Sequence, residues 1–454
     1  MSSNQIQQQD SEHCFHPFSN YHQLNRDGSR VIERGEGIFV YDAHGQKILD
    51  AMAGLWCVNL GYSADALIEA ATAQMKQLPY YNLFFQSTHA PAAKLAQKLS
   101  EITPEHLNHV FFTGSGSECN DTVIRTVRHY WSCLGKPSKQ VIISRENAYH
   151  GSTMAGASLG GMKPMHAQGG LPIPGVVHIP QPYYFGEGQG QDPQQFGLER
   201  ARLLEQKILE LGEDKVAAFI AEPVQGAGGV IIPPESYWPE IQRICDKYEI
   251  LLVADEVICG FGRTGQWFAS QTYNIKPDLM CLAKGITSGY VPLGAVMMSD
   301  RVAQVLRDYD DEFTHGFTYS GHPVACAVAL ATIEQMQQTQ LIDYVHDELA
   351  PYLAEGWQQL SEHPLVGEAR IKGMMGALEL VADKTTLQRY DKKLAAGTLC
   401  RNICVNNGLI MRAVGDTMII APPLIMSKAE VDQLITLAKK CLDQTYTELQ
   451  HQIG

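Results

Sequence analysis

Three short stretches combine residue types that could do chemistry. Gly114-Ser115-Gly116-Ser117-Glu118 follows the apolar run HVFFT and precedes a helical pattern. Glycines let a backbone approach a ligand closely. A helix start adds unpaired N–H groups and the positive end of the helix dipole. That combination suits a phosphate; it also suits a plain turn with a serine N-cap. The nucleotide-loop pattern GxxxxGK[ST] is absent. Asp255 closes the apolar run ILLVAD. A carboxylate there is costly unless it is paired, by a ligand, a cap or a salt bridge. Lys284 closes DLMCLAK and leads into Gly285-Ile286-Thr287-Ser288-Gly289. Burial lowers a lysine below its free value of about 10.4 and makes the amine a usable nucleophile. The alternative is a lysine that snorkels from the sheet edge.

The elements that must position these groups follow from the pattern. Residues 1 to about 30 read as a polar arm with aromatic anchors, HPFSNYHQL. A strand–turn–strand follows in GIFVYDAHGQKILDA, turning at Asp42-Ala43-His44-Gly45. Helices are expected over 64–78 and 91–102. From about residue 105, apolar runs alternate with helical stretches: HVFFT, QVIIS, GVVHI, VAAFIAE, ILLVAD, DLMCLAK and PLGAVMMS, with helices at 117–134, 151–160, 194–211 and 235–248. The runs are continuous rather than alternating, as in strands buried on both faces. That predicts an α/β body with a mostly parallel sheet and helices on both sides. Ligands of such sheets bind at the carboxyl ends of strands, where Asp255 and Lys284 stand. A long helix, HPVACAVALATIEQMQQ, leads out of this body. The C-terminal part mixes helices (342–362, 384–407, 427–450) with short strands (GALEL, TMIIAPP), which suits a smaller α+β domain.

Composition bounds the function. The chain has 454 residues, 45% of them hydrophobic, and a net charge of −14. It can build a large core. Its acidity argues against nucleic-acid phosphates and anionic membranes as partners. The start MSSNQIQQQDSEHC lacks the basic flank and apolar core of a signal peptide, and no apolar run spans a membrane. The 11 cysteines form no CxxC, so a metal site is not expected, and they read as reduced thiols of a cytoplasmic protein.

A phosphate cradle, a strand-end aspartate and a strand-end lysine together match the demands of pyridoxal 5′-phosphate. The lysine forms the Schiff base, the aspartate keeps the pyridinium nitrogen protonated, and the helix start takes the phosphate. The chain also resembles the class III (ω-) aminotransferases of the fold-type I pyridoxal-phosphate enzymes. TGSGSECNDT, ENAYHGST, FIAEPVQGAGGV, ADEVICGFGRTG, LAKGITSGYVPLGAV, HGFTYSGHPVACA and GLIMRAVGDTMIIAPP carry the resemblance from about residue 38 to 445. AMAGLWCVNLGY, LPYYNLFFQ and HYW are most similar to members that use putrescine and pyruvate.

The resemblance implies three segments: an N-terminal arm with part of the small domain (1–65), a large cofactor-binding domain (66–325) and a C-terminal small domain (326–454). It implies that Lys284 is the Schiff-base lysine and proton carrier, and that Asp255 pairs with the pyridinium. Gly116 and Ser117 hold the phosphate, with Thr318 from the other subunit of a homodimer or dimer of dimers. Tyr149 stacks on the ring, with His150 and Gly151 beside it, and Val257 packs on the opposite face. Glu222 stands near the 3-hydroxyl and Asp255. Phe18, Trp56, Phe84 and Ala227 line the substrate pocket, and Arg412 pairs with a substrate carboxylate and swings aside for amines. The reaction implied moves an amino group from an amine donor, such as putrescine, to pyruvate. ω-Amino acids such as β-alanine, and arylalkylamines, are the alternative donors.

Two rival motifs come from other classes. GFGRTG at 260–265 is formally GxGxxG, which would make an NAD-dependent oxidoreductase, but QWFASQTYN after it does not read as a crossover helix. GASLG at 156–160 is formally the hydrolase elbow GxSxG, but it lies in or just before a helix rather than at a sharp turn.

Overall fold

The computed structural model describes residues 3–453. Strands β1 (Ile32–Glu36), β2 (Phe39–Asp42) and β3 (Lys47–Asp50) form an antiparallel meander. Asp42 closes its turn by accepting from His44 N and Gln46 N, both at 3.0 Å.

The central sheet contains β4 (His109–Thr113), β5 (Val141–Arg145), β6 (Val176–Ile179), β7 (Val216–Ala221), β8 (Leu251–Asp255), β9 (Leu279–Leu282) and β10 (Gly294–Met298). Their order is β4-β10-β9-β8-β7-β5-β6. The five strands from β9 to β6 are parallel, while β10 runs antiparallel to both neighbours. Every residue of β7, β8, β9 and β10 is buried. The reason is two-sided cover: Leu251 and Val253 pack with Val123 and Val127 of the helix Gly116–Cys133, while Leu252 packs with Leu204 and Ile241 of the helices Pro193–Leu211 and Tyr237–Lys247 on the other face. Burying one such side chain fully stabilises by about 1.5–3 kcal/mol. The seven apolar runs of the sequence are these seven strands.

A second sheet lies toward the C-terminus. It is built from β11 (Val366–Lys372), β12 (Met375–Leu380), β14 (Arg412–Val414) and β15 (Thr417–Ile420), antiparallel in the order β11-β12-β15-β14. Strand β13 (Leu409–Ile410) leaves it and pairs parallel with β3, which joins the two ends of the chain.

Two expectations need correction. The stretch 384–407 is α-helical only over Ala396–Asn406, with a 3₁₀ turn at Lys392–Leu394; Leu387 and Ala395 take left-handed backbone (φ 55° and 45°), which a helix does not tolerate. The expected helix 342–362 is present over Leu341–Glu362, with a π turn at Val345–Leu349 just before Pro351, whose missing N–H leaves a gap in the ladder, and a 3₁₀ turn at its end. The polar arm carries two helices, Ser3–His13 and Tyr21–Asp27. Neither rival motif has its required context. Residues 260–265 form turns ahead of the four-residue helix Ala269–Thr272. Ser158 is buried, donates to Met154 O at 2.6 Å and accepts from Ile173 N at 3.0 Å. No described helix is long and apolar enough to cross a membrane.

Candidate active site

The carboxyl ends of β4, β8 and β9, with the loops after β5 and β7, enclose a cavity of about 320 Å³. Gly116, Ser117, Tyr149, His150, Gly151, Glu222, Asp255, Val257 and Lys284 all line it. These nine come from five separate stretches of sequence, and the sheet topology alone brings them together.

One end is an anion cradle. Ser115 caps the 18-residue helix by accepting from Glu118 N at 3.2 Å, and Gly114 N donates to Glu118 Oε2 at 2.6 Å. The N–H groups of Gly116 and Ser117 keep no hydrogen-bond partner among the described residues. They sit at the positive end of the helix and face the cavity, as a phosphate requires. Gly151 closes this end. Its φ is 127°, and a Cβ there would lie 2.8 Å from Ser117 Cα, so only glycine fits.

The far wall holds charge. Asp255 is 3% exposed. Its Oδ2 accepts from His150 Nδ1 at 2.7 Å and Asn120 Nδ2 at 3.0 Å; its Oδ1 accepts from Val257 N at 3.1 Å. Burial pushes the carboxyl up, but His150 and Asn120 more than offset it, so the group stays below its ordinary value and remains ionised. Buried Nε2 of His150 has no partner among the described residues. Glu222 accepts from Tyr149 N at 3.1 Å and Gly226 N at 2.9 Å, and burial raises it.

Lys284 follows β9 by two residues and takes φ 48°, a left-handed conformation rare for a side-chain-bearing residue. Its amine makes no hydrogen bond or ion pair with any described residue. Burial lowers its pKa; Asp255 and Glu222 oppose this, and Arg412 adds to it. A free amine in a cleft with a lowered pKa is a nucleophile.

The other expected residues are not among those that line this cavity. Trp56 is buried (2% exposed) in an apolar cluster with Ile258, which lines the cavity, and its indole N–H has no partner among the described residues. Ala227 is buried in the loop after β7. Phe18 is exposed and meets the Tyr149 ring edge-on, with centroids 6.4 Å apart. Phe84 is exposed beside Gly316. Arg412 opens β14; its guanidinium is partly buried, lowered by that burial, and has no ion pair or side-chain hydrogen bond among the described residues. Thr318 is exposed, away from the cavity lining, with its carbonyl taken by Tyr80 Oη at 2.7 Å. Sequence reasoning missed Asn120 and Thr287, which also line the cavity. Asn120 had a signal: four residues after Gly116 on a helix, it shares that residue's face.

The donor set fits pyridoxal 5′-phosphate. Unpaired N–H groups await its phosphate, an ionised carboxylate with acceptor capacity to spare awaits its ring nitrogen, and a free lysine awaits its aldehyde. Fold and site together define a fold-type I pyridoxal-phosphate enzyme. Comparison with known proteins agrees. Residues 22–442 match the family model "Aminotransferase class-III". The putrescine–pyruvate aminotransferase of Pseudomonas aeruginosa is 60% identical over 96% of this chain and 95% of its own. The mitochondrial γ-aminobutyrate transaminase 1 of Solanum lycopersicum is 42% identical over 91% of this chain and 81% of its own. The ω-transaminase of Pseudomonas jessenii, solved in complex with PMP, superposes with a TM-score of 0.95 at 43% identity, covering 97% of this chain and 98% of its own. The chain belongs to the class III aminotransferases, and its cofactor is pyridoxal 5′-phosphate.

Proposed function

We propose that this aminotransferase moves the amino group of a terminal diamine, putrescine foremost, to pyruvate, giving an aminoaldehyde and alanine. The observation that carries the acceptor half is Arg412: a partly buried guanidinium without an anionic partner, close enough for its charge to be felt at Lys284. Such a group calls for a carboxylate, which it grips by a bidentate fork. The donor half rests on the 60% identity to the Pseudomonas aeruginosa enzyme.

The bound cofactor supplies an aldehyde that exchanges with amines and a ring that accepts electrons. The chain's own residues do the rest. Lys284 would hold the cofactor's aldehyde and, as a free amine of lowered pKa, would carry the proton at its Nζ. Asp255, kept ionised by His150 and Asn120, holds the proton on the ring nitrogen. Gly116 and Ser117 bind the phosphate, joined by Thr318 of the neighbouring subunit. Tyr149 and Val257 would pack on the two faces of the cofactor ring, the aromatic stack of Tyr149 being worth about 0.5–1.5 kcal/mol beyond burial. His150 and Gly151 shape the cleft beside Tyr149. Glu222 orients the 3-hydroxyl side. Phe18, Trp56, Phe84 and Ala227 wall the substrate pocket. Arg412 takes the carboxylate of pyruvate and turns away from an amine that has none.

A homodimer, or a dimer of dimers, suits the exposed aromatics Tyr80, Phe84, Phe85 and Tyr319 around Thr318. A reducing cytoplasm suits 11 free thiols, of which 8 are buried. The deciding experiment is alanine formation from pyruvate with putrescine, cadaverine, β-alanine or 1-phenylethylamine. Diamines turning over fastest supports the reading. β-Alanine or the aryl amine leading assigns the alternative donor, and an active monomer on gel filtration removes the shared site.

A further inference from the structure

A second polar cluster lies outside the cofactor cleft. Glu379 of β12 is fully buried. Its Oε1 accepts from Tyr183 Oη at 2.5 Å and pairs with Arg370 Nη1 at 2.6 Å. Its Oε2 accepts from Arg389 Nη2 and from Thr417 Oγ1, both at 2.7 Å. Four donors saturate the carboxylate. Arg370, on β11, then reaches across to the loop after β7: its Nε donates to Val230 O at 2.7 Å and its Nη2 to Gly229 O at 2.5 Å. The neighbouring carbonyl of Gly228 accepts from Asn147 Nδ2 at 2.9 Å, two residues before Tyr149. That loop carries Glu222 and Ala227.

On the other side the cluster governs Arg412. Strand β14 has three residues, and in its sheet it pairs only with β15. Arg412 stands opposite Ile419, so its place is inherited from β15. Thr417 is the first residue of β15 and donates its hydroxyl to Glu379.

We propose that Glu379 is a positioning residue for the acceptor half-reaction: through Arg370 and Thr417 it ties the loop bearing Glu222 and Ala227 to the strand pair bearing Arg412, and so sets where an acceptor carboxylate is gripped. The inference rests on the reading of Arg412 as the carboxylate ligand. A glutamine at 379 keeps the shape but presents an amide donor to a guanidinium. Arg370, itself only 11% exposed at the side chain, then keeps Glu368 as its one acidic partner. The reference for the site, Asp255 with its own partners, is untouched, so the holoenzyme absorbance stays as in the parent.

The test is steady-state kinetics of the holoenzyme with two acceptors, pyruvate and propanal. Glu379→Gln raises KM for pyruvate about tenfold and leaves propanal turnover within about twofold. If that variant fails to fold, Arg389→Gln, at the more exposed end of the cluster, gives the same selectivity at about threefold. Because the effect runs through Arg412, adding Glu379→Gln to Arg412→Ala costs nothing further on pyruvate. Equal losses on both acceptors, or additive losses in the double variant, overturn the proposal and leave Glu379 a purely structural group. Arg412→Ala alone separates the two readings. If it too costs both acceptors equally, the carboxylate role of Arg412 falls and the Glu379 proposal with it. If it is pyruvate-selective while Glu379→Gln is not, only the Glu379 proposal falls.

Discussion

Asp255 and Glu379 are both buried carboxylates held below their ordinary pKa, yet they are built for opposite ends. Burial opposes ionisation at each. At Glu379 the charges of Arg370 and Arg389 overcome it; at Asp255 His150 does so, with Asn120 and the Val257 N–H helping. Four donors fill Glu379. Asp255 receives three, which leaves acceptor capacity beside a cavity that also holds a lysine and N–H groups with no partner among the described residues. A saturated buried charge holds parts of the chain together. An unsaturated one facing a cleft waits for a ligand. Glu256 adds a third case: fully buried, it is served only by neutral donors, Ala269 N, Ser270 N and Ser270 Oγ, and its pKa rises to about 7.

The comparison can be broken in order of effect. The largest concerns Lys284. Lys284→Ala should lower alanine formation by roughly 10⁴-fold or more, and borohydride reduction of the parent holoenzyme should leave the cofactor on the Lys284 peptide. An adduct elsewhere sinks the assignment. Next is Asp255→Asn, which keeps the shape and removes the charge. It should cost about 10²–10³-fold in kcat with little change in thermal midpoint. A large loss of stability with modest loss of rate would place Asp255 with Glu379 as a structural group. The smallest effect concerns Glu256. Its folded value lies above the free 4.5, so the folded chain binds the extra proton; this contribution is complete below pH 4.5 and is lost as pH rises through about 7. Glu256→Gln should remove that decline, shifting the midpoint difference from the parent by about 1–3 °C between pH 4.5 and 8. A difference that does not vary with pH would show that Glu256 is not titrating there.

Much of this was legible in the chain. The seven apolar runs became β4 to β10 because a strand covered on both faces must be apolar throughout. Asp255 and Lys284 stood out because charge at the end of such a run is expensive. The helix start at Ser115 showed its cap and its glycines. The second cluster was not legible. Arg370, Glu379 and Arg389 lie within 20 residues, but Tyr183 and the Gly229 and Val230 carbonyls that complete the cluster come from more than 130 residues away, and each side chain alone reads as a surface charge or a loop aromatic. The start of the helix in 384–407 was misread because left-handed residues such as Leu387 and Ala395 leave no periodic trace.

The sequence by itself determined which groups are reactive and which strands carry them, since burial cost and hydrophobic period are local properties of residues. Which groups meet was decided only by the tertiary structure. The order β4-β10-β9-β8-β7-β5-β6 brings five distant stretches to one cavity, and the pairing of β14 with β15 sets where Arg412 stands. Whether a buried acid is a tether or a waiting ligand depends on how many donors reach it, and donors arrive from across the fold.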